Sequence, residues 1–446
     1  MKSDRRVVIT GLGVATPIGT GIEPFWDALM EKKCGLKRIE SFDPSGFASR
    51  IGGELPPFKL TDYIPKTYRK NAKVMSRDIK IAVACAYHAV TDAGIQSKCI
   101  IERGEAPGPP NVDSTRFGAN IGAGSVSADL NELATALATA KNDDHKFDIK
   151  RWGAEGMENL TPLWLLKFLP NMLASHVTIV HDCQAPCNAV TCGDASGHLA
   201  IGEAFRTIAR GAADVCICGG AESKIAPMAM ARSHLLERLN PDSNDRPAEA
   251  CRPFGQGALG TVVAEGGGLI VLESLDHAQS RHARIYAELS GFGAAGNAFH
   301  WADPDPEGKA VALSLQKACA DAGAAVADID LVSPFGIGIG NMDASEMTGW
   351  NAAFGERLCE VPAMSTKPAI GFCGAGCGAI DFAAMVMSLH RGTVPPTPNT
   401  DVLAEKCRFS FVQRDPVDAK IRAAVTLGYS LAGGQTAALV IKRFEE

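Results

Sequence analysis

The sequence lacks the features that would place the protein in a membrane or on nucleic acid. No window approaches the roughly 18 uninterrupted apolar residues of a membrane-spanning helix. Residues 1–6 lead directly into a short apolar stretch at 7–10, which is too short for a signal peptide. The 44 Lys and Arg are outnumbered by 50 Asp and Glu, giving a formal net charge of −6. No basic face dominates, so we expect a cytoplasmic protein without a nucleic-acid partner.

The 14 cysteines do not form the pattern of a disulfide framework or a metal site. Some lie in apolar runs such as residues 214–220 (DVCICGG), which are typical of buried strands, so we expect reduced thiols. Two groups are close in sequence: His181, Cys183, Cys187 and Cys192, and Cys373 with Cys377. Neither group has the Cys-x2-Cys spacing of zinc ligands, so no metal and no other cofactor is predicted.

Glycine is abundant, with 46 residues in a chain of 446, and it bounds many short β-branched segments. These segments alternate with helical patterns such as the one at residues 79–93, and this alternation is typical of α/β proteins with buried sheets. The polar residues 276–282 predict a turn between two halves, 1–275 and 276–446. Within the first half, residues 141–162 are polar and predict an irregular surface insertion.

Residues 188–204 (NAVTCGDASGHLAIGEA) predict a strand that passes through a tight turn into an amphipathic helix. Enzymes that place a nucleophile at such a turn use Ser or Cys. Here Asp194 occupies the turn, Cys192 precedes it, and His198 follows one helical turn later. The elbow is therefore catalytic with an unusual residue, shifted along the chain, or inactive.

Further motifs occur in an order that makes the chain similar to one family. They are residues 5–19 (RRVVITGLGVATPIG), 116–124 (RFGANIGAG), 211–222 (GAADVCICGGAE), 252–254 (RPF), 264–268 (AEGGG), 365–367 (STK) and 428–434 (GYSLAGG). Together with the elbow they resemble the β-ketoacyl-acyl-carrier-protein synthases over nearly the whole chain. The resemblance implies a thiolase-like α/β fold, a five-layer αβαβα sandwich built from two similar halves. It also implies a dimer formed through the strand beside the elbow.

The resemblance locates the family's Cys-His-His catalytic set on this chain. The elbow cysteine aligns with Asp194, and the two histidines align with Phe335 and Phe372. The buried supporting charges of the family are retained as Lys367 and Glu346, which we expect to pair with each other and hold the two loops. All three catalytic residues are therefore replaced.

These replacements predict a loss of chemistry. Condensation needs a thiolate at a helix N-terminus, where the helix dipole lowers its pKa. A carboxylate is a poor nucleophile, and we expect Asp194 to be the N-cap of the elbow helix. Decarboxylation of malonyl groups depends, by resemblance, on hydrogen bonds from the two histidines. Phe335 and Phe372 have no polar hydrogen to donate, and each lost donor is worth about 3–4 kcal/mol, so this step is disfavoured as well.

Other residues near the elbow admit alternative interpretations. Cys192 lies about 6–7 Å along the strand from Asp194 and is interpreted as a buried small hydrophobic residue. His198 is at position i+4 and can reach Asp194, although a core or interface histidine is commoner. Ser430 and Ala432 replace the aromatic gate of the family's last glycine-rich loop. They either reshape an acyl tunnel or mark a site that needs no gate.

The resemblance and the lost residues together favour a non-condensing subunit of the chain-length-factor type. Such a subunit pairs with an active β-ketoacyl-ACP synthase in fatty acid or polyketide assembly and shapes the acyl tunnel. An acidic acyl carrier protein is the other expected partner. Two alternatives stay open: an acyltransferase or decarboxylase that uses Asp194 on acyl thioesters, and a homodimeric module that binds acyl chains or carrier proteins without turnover.

Overall fold

The computed structural model describes residues 5–430 and 434–445, so the predicted tunnel residue Ala432 lies outside the described residues. The helices are α1 (Ile22–Met30), α2 (Arg77–Asp92), α3 (Lys98–Glu102), α4 (Leu130–Thr139), α5 (Ile149–Ala154), α6 (Asn171–His181), α7 (Ser196–Ala209), α8 (Pro227–Leu235), α9 (Leu275–Ser280), α10 (Lys309–Asp321), α11 (Gly340–Phe354), α12 (Lys367–Ile370) and α13 (Cys377–Arg391). The strands are β1 (Val7–Thr16), β2 (Gly19–Thr20), β3 (Leu36–Arg38), β4 (Ile51–Gly53), β5 (Phe117–Ala123), β6 (Cys187–Val190), β7 (Val215–Ser223), β8 (Glu265–Ser274), β9 (Ala287–Gly296), β10 (Leu331–Ser333), β11 (Pro362–Ala363), β12 (Thr393–Val394), β13 (Ser410–Phe411), β14 (Val417–Asp418), β15 (Ala423–Tyr429) and β16 (Gln435–Lys442). None of the helices within these described ranges is long and apolar enough to cross a membrane.

The first half of the chain is built on strands in the order β6-β5-β7-β8-β1. β5 pairs in parallel with β6 and β7, whereas β8 is antiparallel to both β7 and β1. β1, β5, β7 and β8 are buried along their whole length, as their apolar and glycine-rich sequences predict. β6 differs because it ends the sheet, and its residues Cys187 and Asn188 are exposed.

The second half repeats this arrangement with strands in the order β9-β16-β15-β10-β11-β13. β16 is antiparallel to β9 and β15, and the remaining neighbours are parallel. The two halves join where β1 pairs antiparallel with β9, at Val7–Leu289, Val8–Glu288 and Ile9–Ala287. The strands of both halves therefore form one continuous hydrogen-bonded path.

Helices cover both sheets and fill the space between them. α2 packs on β1, β7 and β8, and α6 packs on α2, β5 and β6, which together form one outer layer. α7 contacts β5 and β7 on one side and β9, β15 and β16 on the other, while α13 lies between β8 and β15. α10 packs on β9 and β16 and is covered by α11. The result is the expected five-layer αβαβα sandwich of two similar halves, with the elbow helix in its central layer.

Two local predictions need correction. Residues 141–162 are largely exposed, as expected of a surface segment, but they are not irregular throughout. They contain α5, whose N-terminus is capped by the Asp148 carboxylate, which accepts hydrogen bonds from the backbone N–H groups of Lys150 and Arg151. The polar residues 276–282 fall largely within α9, where Ala278 is buried. The division of the chain at residue 275 stays a prediction.

Candidate functional site

The elbow has the predicted strand, turn and helix, but the helix begins later than expected. Residues 193–195 form a 3-10 turn, in which Gly193 has a φ of +61°, and α7 starts at Ser196. The Ser196 hydroxyl accepts a hydrogen bond from the backbone N–H of Cys192 at 2.8 Å and donates to the carbonyl of Gly193 at 2.6 Å. The N-cap of α7 is Ala195, without a side-chain cap bond. The prediction that Asp194 caps the helix was therefore wrong, because the turn places it before the cap position.

Asp194 instead joins a charge cluster with Lys224 and Glu222. Asp194 is 7% exposed, and one of its carboxylate oxygens lies 3.5 Å from the Lys224 ammonium. Lys224 is also 2.9 Å from a Glu222 carboxylate oxygen, and the other Glu222 oxygen accepts the backbone N–H of Ala375 at 2.8 Å. Burial lowers the pKa of Lys224, but Glu222 and Asp194 more than offset this effect and raise it, so the ammonium stays charged.

Sequence analysis missed Lys224 and Glu222 as site residues. The signal was present, because residues 211–222 were recognised as a motif and Lys224 follows two positions after its last residue. Side chains two positions apart on an extended chain point to the same side, so a lysine here falls beside Glu222.

Phe335 and Phe372 meet at the site, as their alignment with the two histidines implies. Their ring centroids are 6.3 Å apart, with the rings perpendicular. Each ring also faces an ammonium: Lys224 is 5.3 Å from the Phe372 centroid, and Lys367 is 4.6 Å from the Phe335 centroid. Cation–π contacts of this kind stabilise the positive charges, but neither ring can donate a hydrogen bond to a substrate oxygen.

Lys367 and Glu346 are both buried here, but they do not form the direct pair that sequence analysis predicted. The Lys367 ammonium makes its ion pair with Asp381, whose other oxygen accepts a hydrogen bond from Thr366 at 2.6 Å. Burial lowers the pKa of Lys367, but the Asp381 carboxylate and, to a smaller extent, Glu346 raise it by more. The net effect is a raised pKa. Lys367 pairs with Asp381 because α13 brings this aspartate next to the lysine.

Glu346 holds the Phe335 loop through its backbone. It accepts hydrogen bonds from the N–H groups of Phe335 at 2.6 Å and Gly336 at 2.8 Å, and from the indole of Trp350 at 3.1 Å. Asp343, which sequence analysis did not single out, accepts from the next two N–H groups of the same loop, each at 3.0 Å. Burial raises the pKa of Glu346 to about 7 and that of Asp343 to about 6. These acids position the loop.

His198 is a core histidine that hydrogen-bonds Thr426 and not Asp194. It is fully buried in the central layer, and its Nε2 lies 3.2 Å from the hydroxyl of Thr426. Burial lowers its pKa to about 3, so the ring is neutral. A Cβ on Gly378 or Gly428 would clash with the ring, which shows how closely the two neighbouring elements approach it.

Three cysteines lie near the site. Cys192 is half-buried, where sequence analysis predicted a buried packing residue, and this partial burial raises the pKa of its thiol. Cys373 and Cys377 are buried with their sulfur atoms 3.6 Å apart. Among the residues that the structure describes, no group of three or more His, Cys, Asp or Glu side chains could hold a metal ion.

Ser430, the described member of the predicted tunnel pair, is buried at the end of β15. Its backbone N–H donates to the carbonyl of Gln435 at 2.8 Å, which joins the end of β15 to the start of β16. It lines a narrow crevice together with His300, Trp301 and Met342. Its role in an acyl tunnel stays a prediction.

Comparisons with known proteins agree with this fold. Residues 4–278 match the family described as "Beta-ketoacyl synthase, N-terminal domain", and residues 286–401 match "Beta-ketoacyl synthase, C-terminal domain". The fold and the elbow thus define a protein of the ketosynthase class. The chain belongs to the β-ketoacyl synthase family.

Relatives and solved structures cover the whole length of the chain. It is 32% identical over 445 residues to 3-oxoacyl-[acyl-carrier-protein] synthase 2 of Vibrio harveyi, covering 100% of both chains. It is 31% identical over 439 residues to a putative polyketide beta-ketoacyl synthase 1 of Streptomyces halstedii, covering 98% of both. A type II polyketide ketosynthase bound to its hexaketide and acyl carrier protein gives a TM-score of 0.83 at 26% identity, covering 99% of this chain and 100% of that one. The ishigamide ketosynthase/chain length factor gives 0.82 at 26% identity, with the same coverage.

Proposed function

We propose that this chain is a non-condensing ketosynthase-like subunit that pairs with an active β-ketoacyl-ACP synthase and shapes the acyl tunnel of the complex. The observation that carries the proposal is the charge cluster at the elbow. Where the family has its nucleophile, this chain has Asp194, held 3.5 Å from the Lys224 ammonium. A carboxylate engaged in an ion pair is a still weaker nucleophile than a free one.

The two phenylalanines support the same conclusion. An enolate or tetrahedral oxyanion needs preorganised hydrogen-bond donors, and removing one such donor costs about 3–4 kcal/mol of transition-state stabilisation. Phe335 and Phe372 are 1% and 4% exposed and pack against each other, so water cannot replace the missing donors at their faces. Loss of two donors corresponds to a rate loss of more than about 10,000-fold.

The exposed edge of β6 supports a partner of the same fold. β6 is hydrogen-bonded to β5 on one side and ends the sheet. Beside it, α6 presents Ile179 with 52% exposure. An open sheet edge flanked by an exposed apolar side chain is suited to pairing with a second sheet, and an active ketosynthase supplies an equivalent edge.

A basic segment supports docking of an acidic carrier protein. Residues 66–74 (KTYRKNAKV) form a 3-10 segment with no buried residue, and they carry four basic side chains and no acidic one. A local positive surface of this kind attracts an acidic partner although the chain as a whole is acidic.

Co-expression with an active ketosynthase that retains the family's Cys-His-His set tests the proposal. Native mass spectrometry should show a one-to-one heterodimer, and Ile179→Glu should weaken it at least tenfold because the charge would be buried at the interface. Leu313→Glu is the matched control, since Leu313 is 45% exposed on α10 in the opposite outer layer. A wild-type chain that forms only a homodimer in the presence of this ketosynthase would refute the proposal.

A second candidate function, acyl-chain binding without turnover, is favoured by a cavity of about 500 Å³ in the first half. Its apolar wall includes Phe42, Met75, Phe168, Leu173 and Ile225. Native mass spectrometry of the chain purified alone tests this function: a co-purified lipid supports it, and a lipid-free chain that gains no mass on incubation with decanoate contradicts it.

A further inference from the structure

The Lys224 ammonium lies beside Asp194, the residue that occupies the nucleophile position. It follows β7 directly after Ser223, and its ammonium lies 2.9 Å from Glu222 and 3.5 Å from Asp194. The same ammonium is 5.3 Å from the centroid of the Phe372 ring. One side chain therefore links the elbow, the end of β7 and the loop that carries Phe372.

The surrounding backbone is shaped to hold this side chain. Gly374 has a φ of +56°, and a Cβ there would clash with Lys224 Cε and with a Glu222 carboxylate oxygen. A Cβ on Gly124, at the end of β5, would clash with the same Glu222 carboxylate. Two loops thus lack side chains at the points where they meet the Lys224–Glu222 pair, so the pair is an integral part of the site.

An ammonium in this position is an obstacle to an alkyl chain. The Lys224 side chain is 15% exposed and the Asp194 and Glu222 carboxylates are 10% and 4% exposed, so the cluster retains little water. An acyl chain reaching residue 194 would have to displace the ammonium from two carboxylates or cover three charges with hydrocarbon. The first outcome separates buried, paired charges, and the second removes their remaining contact with water; both are strongly unfavourable.

We propose that Lys224 is a specificity-determining residue that excludes acyl chains from the elbow of this subunit. This inference rests on the proposed function, because it explains how a carrier-bound chain is directed to the partner's nucleophile alone. Lys224 acts together with Glu222, which fixes the ammonium, and with Asp194, which neutralises it. Restoring a nucleophile at residue 194 therefore does not restore access for an acyl chain.

Two alkylating reagents with the same reactive group test the exclusion. Asp194→Cys places a thiol at the elbow, and iodoacetamide is compared with N-decyl iodoacetamide on the full chain purified alone. Tandem mass spectrometry of the peptide with residue 194 separates its modification from that of Cys192. The ratio of the two labelling rates reports access for the ten-carbon chain, because any effect of Lys224 on thiol reactivity acts on both reagents and cancels in the ratio.

We expect the labelling rate with N-decyl iodoacetamide, divided by the rate with iodoacetamide, to rise at least tenfold when Lys224→Ala is added to Asp194→Cys. Lys224→Arg should keep the low ratio, since it retains a charge in the same place. Lys406→Ala is the control, because Lys406 is an exposed lysine distant in sequence from the elbow. If Lys224→Ala does not fold, Glu222→Gln with Lys224→Ala removes both members of the pair and is expected to give the same rise.

Ratios that agree within twofold across all folded variants would overturn the inference. This outcome is distinguishable from failure of the proposed function, because labelling is measured without a partner and heterodimer formation is measured separately. A heterodimer together with an unchanged ratio would retain the pairing function and remove Lys224 as its selective residue.

Discussion

Replacement of Lys224 by Met provides a sharp test of the charge cluster. The substitution keeps an unbranched side chain of similar length but removes the ammonium that lies 2.9 Å from Glu222 and 3.5 Å from Asp194. Both carboxylates stay in place with 3% and 7% of their residue surface exposed. The two neighbouring carboxylates then lose the positive charge that lies within ion-pair distance of both.

The expected destabilisation follows from the geometry. Removing one partner of a buried ion pair costs about 3–5 kcal/mol. The 15% exposure of the Lys224 side chain allows some solvent screening, so we expect the lower end, about 3 kcal/mol. In a double-mutant cycle with Glu222→Gln, the coupling between the two positions should be about 2 kcal/mol, because loss of the lysine matters less once the glutamate is neutral.

Urea denaturation followed by tryptophan fluorescence measures these free energies of unfolding. Lys406→Met is the control, because Lys406 is exposed and its replacement should change stability by less than about 0.5 kcal/mol. A loss below about 1 kcal/mol for Lys224→Met, or a coupling within about 0.5 kcal/mol of zero, would refute the reasoning that the cluster is a tightly held ion-pair network.

Three further predictions follow from the same site. Lys367→Met should reduce the free energy of unfolding by about 3–5 kcal/mol in urea, because Asp381 stays buried without its counter-charge; a loss below about 1 kcal/mol contradicts this. Burial raises the pKa of Glu346 from 4.5 to about 7 on folding, so its stabilising contribution is complete below pH 4.5 and is lost as the pH rises through 7. Between pH 5 and 7 this one group should lower stability by up to about 1.4 kcal/mol per pH unit, and Glu346→Gln should flatten that slope in urea titrations; an unchanged slope argues against it. Asp194→Cys alone should yield no 3-oxoacyl product in an assay with acyl- and malonyl-carrier substrates, since Phe335 and Phe372 remain; product formation would show that the donors are dispensable.

Local sequence predicts part of the fold, because glycine-bounded apolar strands that alternate with helical patterns indicate an α/β protein. The five-layer sandwich and the proximity of Phe335 and Phe372 follow from the family resemblance that the ordered motifs carry. The structure confirms the five layers, and the two rings lie 6.3 Å apart. His198 also packs in the core beside Thr426, as the commoner outcome for such a residue indicates.

The charge partners could not be predicted in the same way, because they depend on how distant segments meet. Lys367 pairs with Asp381 and not directly with Glu346, since α13 turns the aspartate inward. The prediction that Asp194 caps α7 failed for a local reason. A 3-10 turn at residues 193–195 delays the start of α7 to Ser196, so Asp194 precedes the N-cap. Asp194 lies against Lys224, a contact between the elbow and the end of β7.

A condensation assay on the purified chain alone is the most direct test of the central claim. The chain is incubated with an acyl-carrier and a malonyl-carrier substrate, and mass spectrometry of the carrier measures the 3-oxoacyl product, with the synthase 2 relative from Vibrio harveyi as the positive control. With a carboxylate at residue 194 and phenyl rings at residues 335 and 372, the chain should give no product above the enzyme-free blank. Any product that depends on this chain without a second subunit would contradict the account.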